Sequence, residues 1–127
     1  MIRYAAWPFT ADEVERYSQG DCFLLAWALE RVARRYGQSS GEVVLSWYPP
    51  IDERHACHAA YLTQDGLAVD ARGAEPLGAY LARYVAGGWC SAVERASALV
   101  RDGYVYPPDR VPHDEALSAA ERIWRVL

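Results

Sequence analysis

The chain has 127 residues, 52% of them hydrophobic, with 13 basic and 17 acidic side chains and a net charge of −4. That is the size of one globular domain able to close its own core, so a single domain over 1–127 is expected, and mild acidity without a basic run argues against nucleic acid as a partner. No apolar run approaches the ~18 residues needed to span a bilayer, and the N-terminal residues lack the cationic-then-apolar order of a secretory signal, so no membrane role and a cytoplasmic location are expected.

Thr10-Ala11-Asp12-Glu13 fits a capping box and predicts a short helix over 11–17. The clearest element follows: Cys22, Leu25, Ala26, Leu29, Val32, Ala33 and Tyr36 recur at the three-and-four spacing of one helix face. Asp21 stands as its N-cap candidate and Gly37 as its stop. Residues 42–48, rich in Val, Leu, Trp and Tyr and closed by Pro49-Pro50, predict a strand. After a loop, 58–63 and 67–71 are short apolar runs around Asp65-Gly66, the signal of a hairpin. Residues 75–84 and 91–101 read as helices separated by Gly87 and Gly88, the second with Ser91 as cap and Glu94 three residues on. An aromatic, proline-rich connector over 104–111 leads to a terminal helix starting at Pro112. Its apolar face is Ala116, Ala119, Ala120, Ile123, Trp124 and Leu127. The fold class expected is α+β: a small antiparallel sheet flanked by helices, with the strongest helix ahead of the strands.

Three cysteines, at 22, 57 and 90, are too few and too odd in number for a disulfide framework. Cys22 is placed for chemistry. At the first turn of a helix the unpaired amides favour thiolate over thiol, and the thiolate is the reactive form. Acyl transfer needs in addition a proton acceptor and a group that fixes the imidazole, and His58 and Asp70 are the candidates. A two-residue loop at Asp65-Gly66 would set these two on opposite faces. A three-residue loop, 64–66, would pair Thr63 with Leu67 and put Asp70 opposite Ala60, on the face of His58 and diagonal to it. The triad therefore requires the three-residue loop, or a bulge that corrects the parity.

The order Gly-Asp-Cys at a helix start, His-Ala on a strand, then Asp-Gly-x-x-x-Asp-Ala-x-Gly resembles the papain-like and transglutaminase-like cysteine hydrolases and transferases. The segment QGDCFLLAWAL is similar to the nucleophile segment of calpains, and the likeness covers 18–73. It implies a papain-like or transglutaminase-like core with Cys22 as nucleophile, His58 as base and Asp70 as orienting residue, and no cofactor. Papain-like enzymes commonly carry an oxyanion-hole glutamine six residues before the cysteine. This chain has Arg16 there, which leaves Gln19, three residues before, as the nearest glutamine to assist the Cys22 amide.

Plainer roles stand beside these. His58 could be a hydrogen-bonded core residue, and Asp70 could cap a turn or pair with Arg72; Asp65 reads as a turn residue only. His55, Cys57 and His58, with Cys22 or Cys90, invite a metal reading, but the spaced cysteine pairs of structural zinc sites are lacking and no metal is expected. In a strand, Cys57 and His58 would point to opposite faces. Cys57 and Cys90 read as core or partly buried thiols, and His55 and His113 as loop or helix-start residues. The five tryptophans are scattered and not interleaved with basic residues, which favours core packing over base stacking. Trp27, off the apolar stripe of its helix, is the exception and is a candidate to line a groove or meet a partner.

Together these features lead us to expect a small cysteine-dependent amide hydrolase or acyl transferase, acting as peptidase, isopeptidase, deamidase or transglutaminase-like enzyme on a protein or peptide amide. The alternative is an inactive protein-binding module or inhibitor on the same fold.

Overall fold

A computed structural model describes residues 7–18, 21–52, 55–105 and 113–127. Helix α1 (Ala11–Ser18) starts on the expected capping box: the Glu13 amide donates to Thr10 Oγ1 (3.2 Å) and the Thr10 amide to Glu13 Oε1 (3.1 Å). Helix α2 (Cys22–Arg35) buries Cys22, Leu25, Ala26, Leu29, Val32 and Ala33 and stops at Gly37. The positive φ of that glycine, +73°, lets Gln38 N–H reach back to the Ala33 carbonyl at 2.9 Å. Asp21 precedes α2, but its side chain makes no capping bond. Its carboxylate is held instead by Arg16 Nε at 2.8 Å, an ion pair that outcompetes a neutral amide for the same oxygens.

The strands are β1 (Glu42–Trp47), β2 (His58–Leu62), β3 (Leu67–Asp70), β4 (Gly73–Pro76) and β5 (Cys90–Arg95); α3 (Leu77–Ala86) joins β4 to β5, and α4 (Ala98–Arg101) and α5 (His113–Trp124) complete the described elements. The sheet order is β4-β3-β2-β1-β5 with every neighbouring pair antiparallel. An α+β architecture with an antiparallel sheet is what the sequence predicts, but two elements differ. The helix expected from residue 75 begins two residues later, because Ala74 and Glu75 pair with Val69 and Ala68 to make β4. Most of the helix expected over 91–101 is strand β5, paired along the whole of β1. Only Ala98–Arg101 is helical there.

Alternation along the strands divides the sheet into two buried faces. Val43, Leu45, Ala59, Tyr61 and Val69 pack with Leu25, Leu29 and Val32 of α2 and Ala120 and Ile123 of α5. Val44, Ala60, Leu62 and Ala68 face the other way, onto Tyr80 of α3. Because β1 to β3 are covered on both sides, their runs are apolar at nearly every position. Ala116, Ala119, Ala120 and Ile123 of the expected α5 face are buried, whereas Trp124 is half-buried and Leu127 exposed.

Candidate active site

The α3-facing side of the sheet carries His58, the first residue of β2, and Asp70, the last of β3. Their meeting depends on the hairpin between them. Thr63 N–H donates to the Leu67 carbonyl (2.9 Å) and Gly66 N–H to that of Thr63 (3.0 Å), while Tyr61 faces Val69 and Leu62 faces Ala68. This is the three-residue loop, with Gly66 at φ +86°, a conformation that disfavours any side chain. The register then sets Asp70 diagonal to His58, and His58 Nε2 lies 3.0 Å from Asp70 Oδ2. Both side chains are buried. Asp70 also plays the plainer part: its Oδ1 accepts the Arg72 amide at 2.9 Å, closing the turn into β4.

Cys22 arrives from the opposite face of the sheet. Its sulfur lies 3.9 Å from the carbonyl oxygen of Cys57, so the start of α2 abuts the start of β2. The first intrahelical bond of α2 is Leu25 N–H to the Asp21 carbonyl, which leaves the amides of Cys22, Phe23 and Leu24 ahead of the ladder. Burial opposes charge on His58, but hydrogen bonds to Asp70 and to the Cys22 side chain, with electrostatic interactions with the same two groups, carry its pKa up to about 9. For Asp70, burial acts to raise the pKa, and the His58 hydrogen bond and charge overcome it and hold the carboxyl below its ordinary value. With Nε2 given to Asp70, Nδ1 is the ring nitrogen left for Cys22. The imidazole is thus positioned to be an imidazolium between a carboxylate and a sulfur. Tyr84 of α3 stacks on it at 6.0 Å between centroids.

A cavity of about 300 Å³ opens on His58, with Ser18, Cys57, Arg72, Tyr84 and Trp89 in its wall. Cys22 itself is only 1% exposed. The Ser18 hydroxyl is buried and has no hydrogen-bond partner among the described residues. Gln19, the oxyanion candidate from sequence, lies outside the described residues, and Arg16 is tied to Asp21 and Glu115. Two expectations are corrected. Cys57 and Cys90 are exposed rather than buried, Cys57 because it sits in the bend before β2 and Cys90 because it opens the edge strand β5. Lying outside the strand, Cys57 escapes the alternation and shares the cavity with His58.

His55 is exposed and lies 3.0 Å from Asp52, away from the cavity. His113, at the start of α5, is buried against Trp27, with ring centroids 4.4 Å apart. Trp27 does line a groove, a separate cavity of about 440 Å³ with Arg31, Arg34 and Val100 in its wall. Among the described residues no three of His, Cys, Asp and Glu gather as a metal ion would require, and no helix is long and apolar enough to cross a membrane. The cavity wall has little local signature in the sequence. Arg72 was within reach of register arithmetic, since the pairing that sets Asp70 opposite Ala60 sets position 72 opposite His58; Tyr84 and Trp89 arrive through long-range packing that no local pattern signals. Compared with known proteins, the chain matches no family model, no curated protein and no solved structure.

Proposed function

We propose that the protein is a small cysteine-dependent amide hydrolase or acyl transferase, of the papain-like or transglutaminase-like kind that its Gly-Asp-Cys, His-Ala and Asp-Gly-x-x-x-Asp segments resemble. The observation that carries the reading is the buried His58–Asp70 contact of 3.0 Å beside Cys22 at a helix start. In the reaction the Cys22 thiolate attacks the amide carbonyl. The C–S bond forms, the carbonyl π electrons move onto oxygen, and the helix-start amides face the developing oxyanion. As the oxyanion collapses, the C–N bond breaks, and imidazolium His58 gives its proton to the leaving amine. Neutral His58 then takes a proton from water or an acceptor amine, whose attack on the thioester releases Cys22. Asp70 keeps the ring in one orientation and favours its charged form throughout.

The near-complete burial of Cys22 favours a second reading, an inert binding module in which the same three residues only brace the core. Exposure to p-nitrophenyl acetate separates the two. The enzyme reading expects a burst of one p-nitrophenolate per chain and one acetyl group on the Cys22 peptide, abolished by Cys22→Ala and slowed about 100-fold or more by His58→Ala. Acetylation confined to Cys57 or Cys90 would overturn the enzyme reading.

A further inference from the structure

Among the described residues, the wall of the cavity beside His58 carries cations and aromatic rings and no acidic side chain, on a chain whose net charge is −4. Its cations are not equivalent. His58 is held by Asp70. Arg83 gives Nε (3.1 Å) and Nη2 (2.5 Å) to the buried carboxylate of Glu75 and lies over the Tyr80 and Tyr84 rings, so its charge is matched and its position fixed. Arg72 differs: its backbone amide serves Asp70, while its side chain is exposed and forms no ion pair among the described residues. Among the described residues of the wall it is the cation that no carboxylate pairs. Trp89 and Tyr84, ring edge to ring face at 5.5 Å, form an apolar wall in the same cavity.

We propose that Arg72 binds a carboxylate of the substrate close to the scissile amide, with Trp89 and Tyr84 against the adjoining apolar part. A guanidinium fork meets a carboxylate through two parallel N–H···O bonds, which fixes orientation as well as adding attraction. The substrate class is then a peptide bearing an acidic side chain beside the reacting bond, or one whose free C-terminal carboxylate lies there. This inference rests on Cys22 being the nucleophile and refines what that nucleophile acts on.

Iodoacetate and iodoacetamide differ by the carboxylate alone and so test it without a known substrate. The ratio of their rates at Cys22 is expected to exceed that at exposed Cys90 of the same chain by roughly tenfold. Arg72→Gln is expected to bring the two ratios together, while Arg125→Gln, which removes the same charge from the exposed end of the chain, leaves the Cys22 ratio as it was. Rapid, selective alkylation of Cys22 with a ratio that Arg72→Gln does not move would overturn the inference and leave the nucleophile standing. Absence of selective alkylation by either reagent would overturn both. Two peptides competing with iodoacetate name the source: one with an internal glutamate and an amidated end, the other without acidic side chains and with a free end. Protection by either supports the inference, and protection by neither overturns it.

Discussion

His58 and Asp70 hold each other in their charged forms inside the protein, and a buried charge is tolerated only while its partner remains. Asp70→Asn keeps the shape and removes the charge. We expect the His58 pKa, followed by imidazole ¹⁵N shifts, to fall from about 9 by more than about one unit in this variant. An unshifted value would mean that the carboxylate does not set the ring's protonation. The same substitution should slow acylation of Cys22 by about 100-fold or more, since the ring loses the group that orients it. Asp70→Ala also strands the Arg72 amide and should destabilise the fold by roughly 3 kcal/mol in urea unfolding.

At the level of elements, the β2–β3 hairpin decides whether these two residues meet. Gly66→Ala places a side chain at φ +86° and should cost about 1 kcal/mol of stability while keeping the register. Deleting Gln64 leaves the two-residue loop Asp65-Gly66 between the same flanking pair, Thr63 and Leu67, so the parity of β3 against β2 is kept. This variant should keep the elevated His58 pKa; a lost elevation would show that the pairing needs the three-residue loop. The hairpin, α1 and α2 were legible in the sequence because their signals are local: a glycine at a turn, a capping box, an apolar stripe at helical spacing. Strand β5 was not. Cys-Ser-Ala-Val-Glu-Arg has little intrinsic strand preference, and its serine and glutamate imitate a helix cap. It is a strand because the edge of β1 needs backbone partners, a requirement that arises only once the sheet exists. Strand β4 was missed for a similar reason, four residues whose pairing is fixed by the turn at Ala71-Arg72. The three candidate site residues were legible as types in order, and the cavity around them was not.

The whole molecule is three layers, with α2 and α5 on one face of the sheet and α3 on the other. The larger core lies on the side of α2. Leu29, fully buried there, should cost about 3 kcal/mol on replacement by alanine in urea unfolding. The site lies where these layers converge, so its charge state bears on the stability of the molecule. A His58 pKa raised from 6.5 to about 9 means that its contribution is complete below pH 6.5 and is lost as pH rises through 9. The lowered pKa of Asp70 contributes in full above the ordinary carboxylate value, and the contribution is lost as pH falls below that towards the lowered folded-state value. The difference in thermal stability between the native chain and Asp70→Asn should therefore be greatest near pH 5 to 6.5 and shrink towards pH 9. A difference that is constant or grows with pH would contradict this linkage.

The most direct test of the account is alkylation by iodoacetamide at pH 6, where an ordinary thiol is almost wholly protonated, with each cysteine followed by peptide mapping. Exposure alone would rank Cys57 and Cys90 far ahead of Cys22, which is 1% exposed. A Cys22 thiolate supported by His58 reverses that order, with Cys22 reacting fastest and losing about tenfold or more of its rate in His58→Ala. A Cys22 that reacts no faster than the two exposed thiols, at a rate indifferent to His58, would contradict it.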